Sequence, residues 1–144
     1  MSVSRRIARL LLPLLLLAGT PAVAAAQDKV VYHIDDAALQ GTKALRNIRN
    51  HLDVAPDTEI RVVTHADGID LLLDGAKDEK NAIVYAPLIA DLNARGVHFE
   101  VCEITIERRN LDKDAFIMEA EFTRSGVLRI TRLQSGDGYA YIKP

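Results

Sequence analysis

Cys102 is the one cysteine in 144 residues and the one strong nucleophile the chain carries. In its thiolate form it would attack sulfur or carbon, so residues able to hold that form decide what the chain can do. Three polar groups fall at or near the carboxyl ends of predicted strands. They are His33 with Asp35 and Asp36, His65 with Asp67, and Cys102 with Thr105. In an open α/β sheet, ligands gather beyond those ends, where the strand order reverses. If the three strands are neighbours, the groups share one crevice, and Asn47 and Asn50, on the helix after the first strand, could reach it. His65, at the end of the preceding strand, is the first candidate to favour the thiolate, and His33 the second. Glu100 opposes them. Strand alternation puts it on the face of Cys102 and Glu103 on the other, and a nearby carboxylate raises a thiol's pKa.

Plainer roles stand beside these. Asp35 or Asp36 can serve as a helix cap, each histidine can satisfy a buried carbonyl, and Asn47 and Asn50 can be ordinary surface residues. Cysteine is also among the most buried residue types, so Cys102 can be an inert core thiol. Other chemistries fit less well. Asp35-Asp36-Ala37-Ala38 occupies the place of a glycine-rich phosphate loop, and no G-x-S-x-G elbow appears. The four histidines and one cysteine show no ligand pair with zinc spacing, so no metal and no cofactor is expected.

The elements that must position these groups alternate between strand and helix. Lys29 to Ile34 reads as a first strand, followed by a helix with Leu45, Ile48 and Leu52 on one face. Glu59 to Thr64 is a second strand, and the apolar run Ile69 to Leu73 has no clear period. After a polar stretch, Asp74 to Asn81, a helix runs to Arg95 with Leu88, Ile89 and Leu92 inward, and Pro87 in its first turn or at a kink. Gly96 ends it, and Val97 to Ile106 is a third strand rich in β-formers. A short helix is expected around Asp112 to Met118 and a fourth strand at Glu119 to Thr123. Residues 125–134 can be a helix capped by Ser125, with Val127, Ile130 and Leu133 on one side. Alternatively, Leu128 to Leu133 is a strand paired with Tyr139 to Lys143 through Ser135-Gly136-Asp137-Gly138. The alternation of the rest favours the helix. The fold class is then a single-domain α/β/α sandwich, three layers on a mainly parallel five-stranded sheet with right-handed crossovers.

Met1 to Ala26 stands apart. Arg5, Arg6 and Arg9 precede an apolar run, Leu10 to Leu17, and Ala22 to Ala26 offers small residues for cleavage after Ala24 or Ala26. The run is shorter than the roughly 20 residues that span a bilayer. The expectation is a signal peptide over 1–26 and export to the periplasm, with no membrane attachment after cleavage. Removing three arginines and no acid leaves 15 basic against 20 acidic residues, a formal charge of −5. That surface argues against binding nucleic acid. The remaining 27–144 suits one domain with one core. A lone cysteine forms no internal disulfide, so the fold must rest on packing.

The chain also resembles a known family, the DsrE/DsrF-like proteins. The resemblance is carried by Ala44-Leu45-Arg46-Asn47-Ile48-Arg49-Asn50 and by Val62-Val63-Thr64-His65 followed by Gly68-Ile69. It continues through Leu92, Gly96-Val97 and Val101-Cys102 to Ser125-Gly126-Val127, Leu133-Gln134 and the ending Gly138 to Pro144. It implies a compact α/β/α sandwich on a parallel sheet, often as a homo-oligomer, and a cysteine that in some members carries persulfide sulfur in relay or oxidation pathways. Cys102 would then be the acceptor, with a sulfur donor or acceptor protein as partner. The chain resembles the stand-alone branch of the family more than the relay subunits, and those relay proteins are usually cytoplasmic. The alternative is a non-catalytic scaffold that binds a small ligand and buries Cys102 as a structural residue.

Overall fold

The computed structural model describes residues 27–144; the predicted leader, 1–26, lies outside the described residues. Strand β1 (Lys29–Asp36) runs directly into helix α1 (Ala37–Val54). Asp36 caps that helix, its carboxylate accepting from the Leu39 N–H at 2.9 Å. Gln40 reaches back to accept from the N–H groups of Asp35 and Asp36 at 2.9 and 3.0 Å, so the donors at this junction are satisfied from within α1. Leu45, Ile48 and Leu52 are buried on one stripe, as their spacing predicts.

Strand β2 (Glu59–Asp67) passes into a 3₁₀ turn, Gly68–Leu72, which settles the ambiguous apolar run as neither strand nor α-helix. Gly68 is needed there. A Cβ on it would lie 2.0 Å from the carbonyl oxygen of Ile34, where the β1–β2 register shifts. A short hairpin of two-residue strands, β3 (Lys77–Asp78) with β4 (Ile83–Val84), leads to α2 (Tyr85–Ala94), and Pro87 occupies the first turn of that helix. Ile89 and Leu92 are buried, while Leu88 is only partly covered.

Strand β5 (His98–Cys102) is half the length that its residue types suggest. The chain turns at Glu103 into a short helix, α3 (Glu103–Arg108), so Thr105 lies on a helix and not on a strand. Ile104, Thr105 and Ile106 favour strands locally, but in α3 Ile106 packs into the core. A 3₁₀ turn at Lys113–Ala115 stands where a longer helix is expected. Strand β6 (Ala120–Thr123), helix α4 (Gly126–Ser135) and strand β7 (Ala140–Ile142) complete the chain. The helix reading of 125–134 is the observed one, with Ser125 Oγ accepting from the Leu128 N–H at 3.3 Å. Ile130 and Leu133 face inward, whereas Val127 is exposed.

The main sheet has the order β6-β5-β2-β1-β7, and every neighbouring pair is parallel. Residues of alternate parity along the strands face two different helix layers. Val30, Tyr32, Ile34, Ile60, Val62, Phe99 and Val101 join α1 and α2 in the larger core. Val31 and Val63 pack with Ile130, Leu133 and Tyr139 in a smaller one under α4. His33, His65, Glu100 and Cys102 share the parity of Val31 and Val63 and lie on this second, thinly covered face. The strand order reverses at β1, because α4 carries the chain from β6 back across the sheet to β7.

Candidate functional site

Cys102 ends β5 at 5 % exposure, and Thr123 of β6 is its register partner. Gly126, the first residue of α4, sits against it. A Cβ built on Gly126 would lie 3.4 Å from Cys102 Cβ and 3.2 Å from His65 Cβ. Burial pushes the Cys102 thiol up, but the Gly126 N–H, the hydroxyl and N–H of Thr105 and the Ile104 N–H together pull it further down. The thiol therefore rests below its ordinary value. Its leading stabilisers are backbone amides and one hydroxyl rather than an imidazole. The Thr105 hydroxyl also accepts from the Ala66 N–H at 3.2 Å, which ties the end of β2 to the thiol. Ala66 has φ of 49°, a left-handed conformation that costs a non-glycine residue about 1–2 kcal/mol.

His33 and His65 do meet, though with each other first. Their rings stack at 4.7 Å between centroids, and their Nε2 atoms lie 2.6 Å apart. Only one of two neutral rings can donate across that gap, so the pair shares a single proton between the facing nitrogens. The other nitrogen of His33, Nδ1, lies 2.6 Å from the Tyr141 hydroxyl of β7. One consistent arrangement has Tyr141 donating to His33 Nδ1 and His33 Nε2–H donating to His65. Burial lowers both imidazoles below their ordinary value. The neighbouring His65 and Lys143 lower His33 further, while Asp35 works the other way on both rings. Lys143 and Asp35 themselves form an ion pair at 2.5 Å.

Glu100 is the buried carboxylate that threatened the thiolate, and it is neutralised on the spot. Arg61 donates to it at 2.8 Å, and Arg129 of α4 donates twice, at 2.7 and 3.1 Å. A charge buried to 4 % exposure is tolerable only with such partners.

Of the residues singled out from the sequence, Cys102, His65 and Thr105 come together, with His33 next in line. Three do not join them. Asp36 turns to the other side of β1, where it caps α1 and borders a separate acidic hollow with Asp67 and Asp70. Asp35, its neighbour, is the carboxylate near the histidines. Asn47 and Asn50 sit beyond the second turn of α1, and α1 leads away from the carboxyl ends of the strands. Gly126, Ile104, Tyr141 and Lys143 were not singled out as site residues. The peptide groups of Gly126 and Ile104 carry no side-chain signal, and Tyr141 and Lys143 reach the site only through the return of β7 beside β1. Among the described residues, no three His, Cys, Asp or Glu side chains converge as a metal-ligand cluster.

Comparison with known proteins bears on the same layout. The solved structure of a protein of unknown function, MTH1491 from Methanobacterium thermoautotrophicum, matches with a TM-score of 0.73 and 28% identity, over 82% of this chain and 100% of that one. The E. coli ychN protein matches in fold with a TM-score of 0.63 at 15% identity, over 81% of this chain and 100% of that one. No curated protein matches the chain. The model of the DsrE/DsrF-like family matches residues 7–144, nearly the whole sequence. With its parallel sheet, its reversal at β1 and its cysteine at the end of β5, the chain belongs to the DsrE/DsrF-like family.

Proposed function

We propose that this protein is a sulfur carrier in which Cys102 accepts sulfur as a persulfide. The observation that supports this reading is the set of donors around the thiol, from Gly126, Thr105 and Ile104, which favours its charged form. The thiolate attacks the terminal sulfur of a donor R–S–SH. The donor's S–S bond breaks, R–S⁻ leaves, and Cys102 becomes Cys–S–SH, with the proton remaining on the terminal sulfur. No oxidant or cofactor enters the balance. The same donors then face the sulfur that was Cys102 Sγ, while the outer sulfur is the one passed on.

The reading includes export and a periplasmic site of action, supported by the arginine and leucine pattern of residues 1–26. It also includes self-association, which the exposed Val127 of α4 and Met118 before β6 would favour. N-terminal sequencing of exported protein should start at Ala25 or Gln27, and sedimentation at micromolar concentration should show more than monomer.

The low exposure of Cys102 favours a second reading, a binding scaffold with a structural thiol. One experiment separates the two. Protein treated with a persulfide donor should gain the mass of one sulfur atom, lose it to reductant, and gain nothing as Cys102→Ser. A native protein that takes up no sulfur leaves the scaffold reading in place.

A further inference from the structure

We propose that the arginine-lined groove between β6 and α4 is an anion site that seats the charged end of a small sulfur donor, with its sulfur directed at Cys102. The proposal rests on the reading of Cys102 as a sulfur acceptor and adds the class of molecule that delivers the sulfur.

The groove has a volume of about 370 Å³, within the range of small-ligand clefts. Arg61, Arg124, Arg129 and Arg132 line it, against Glu100 and Glu121. Glu100 is already engaged by Arg61 and Arg129. Glu121 is held by His98 at 2.6 Å and lies 4.0 Å from Arg61. Two guanidinium groups are left for a ligand. Arg124 pairs with Glu107, but both are well exposed, and such a pair exchanges readily. Arg132 has no carboxylate partner among the described residues. The result is a surplus of positive charge on a chain that is acidic overall. Arginine forks suit carboxylate and oxyanion groups.

The surplus adjoins the thiol. Thr123 in the groove wall is the register partner of Cys102, and Ser125 in the same wall precedes Gly126, which touches Cys102. The backbone of Arg124 lies beside the chain that leaves Cys102, its carbonyl accepting from the Ile104 N–H at 3.3 Å. An anion held by Arg124 and Arg132 is therefore set beside the nucleophile. After transfer, the donor's own thiolate leaves from beside the same arginines, which stabilise its charge.

The test compares two alkylating probes of similar size, anionic iodoacetate and neutral iodoacetamide. The ratio of their rates at Cys102, taken relative to free cysteine, reads anion attraction separately from thiolate content. At low salt the ratio should be raised on the order of tenfold, equivalent to about 1.4 kcal/mol, and should fall as salt is added. Arg124→Gln and Arg132→Gln should each lower the ratio at least threefold, whereas Arg49→Gln, on the exposed side of α1, should not. A ratio equal to that of free cysteine overturns the proposal. So does an equal loss in Arg49→Gln, which would assign the effect to the field of the whole protein. A raised, arginine-dependent ratio in a protein that gains no sulfur mass would sustain the anion site while removing the sulfur-carrier reading. A native thiol inert to both probes would remove both.

Discussion

Gly126 stands between Cys102 and His65, so the first residue of α4 decides how the ends of β2 and β5 face each other. A Cβ there would lie 3.2 Å from His65 Cβ, 3.3 Å from the Thr64 carbonyl and 3.4 Å from Cys102 Cβ. Gly126→Ala should therefore push α4 outward by a few tenths of an ångström and weaken the N–H contact to the thiol. The expected outcome is a loss of about 1 kcal/mol of stability in urea unfolding, together with slower alkylation of Cys102 at neutral pH. Unchanged alkylation would show that the Gly126 amide does not hold the thiolate.

Thr105→Val removes the hydroxyl that stabilises the thiolate and accepts from Ala66. The alkylation midpoint of the native protein should lie below the ordinary thiol value of 9.0, and the variant should move it upward. At pH 7 the rate should fall about fivefold, the equivalent of about 1 kcal/mol for one hydrogen bond. Thr105→Ser should restore most of it. Equal rates in all three proteins would exclude the hydroxyl from the site.

His65→Ala is expected to leave the Cys102 alkylation midpoint in place, because the leading thiolate stabilisers are the amides and Thr105. This reverses the sequence-based expectation that His65, or failing that His33, activates the thiol. An upward shift of the midpoint in this variant would reinstate the imidazole.

The histidine pair predicts an acid-sensitive fold. Both folded imidazoles titrate below the ordinary 6.5, so near that pH the unfolded chain binds more protons than the folded one. Stability is then fully present above 6.5 and declines as pH falls from there towards the lower folded values. Asp35 and Glu59, held below their ordinary 3.8 and 4.5, lose their contribution only at more acidic pH, so the two windows are distinct. Urea midpoints should drop between pH 7.5 and 5.5, and His65→Gln should flatten that drop. A wild-type midpoint independent of pH over this range would count against the shared-proton geometry.

Glu100→Gln removes the charge that Arg61 and Arg129 share and replaces one of the two acceptor oxygens with an amide NH₂ that faces a guanidinium. Loss of one partner from a buried pair costs about 3–5 kcal/mol, but both arginines are partly exposed, so about 2–3 kcal/mol is expected here. Thermal unfolding checks this. A change under 0.5 kcal/mol would mean that solvent already screens the network.

Much of this architecture is local and therefore readable along the chain. Leu45, Ile48 and Leu52 announce the buried stripe of α1, Ser125 marks the start of α4, and the alternation of element types implies a parallel sheet. Cys102 stands out because it has no second thiol to pair with. The length of β5 was not readable, since Ile104, Thr105 and Ile106 carry strand propensity, and only the packing of Ile106 in the core shows them as a helix. Thr105 and His65 were readable as neighbours of Cys102, but Gly126 was not. Gly126 lies 24 residues further along the chain and acts through its peptide N–H, a group that every residue except proline possesses. Asp35 and Asp36 are adjacent and chemically alike, and only the strand parity at the end of β1 sends one to the histidines and the other to the helix cap. The sequence by itself determined the order of the main strands along the chain, the helices α1, α2 and α4, and which atom is the nucleophile, because propensity, periodicity and side-chain chemistry act over a few residues. The tertiary structure alone decided what surrounds that atom, because the order β6-β5-β2-β1-β7 brings α4 over the sheet and β7 beside β1 through contacts that no local pattern encodes.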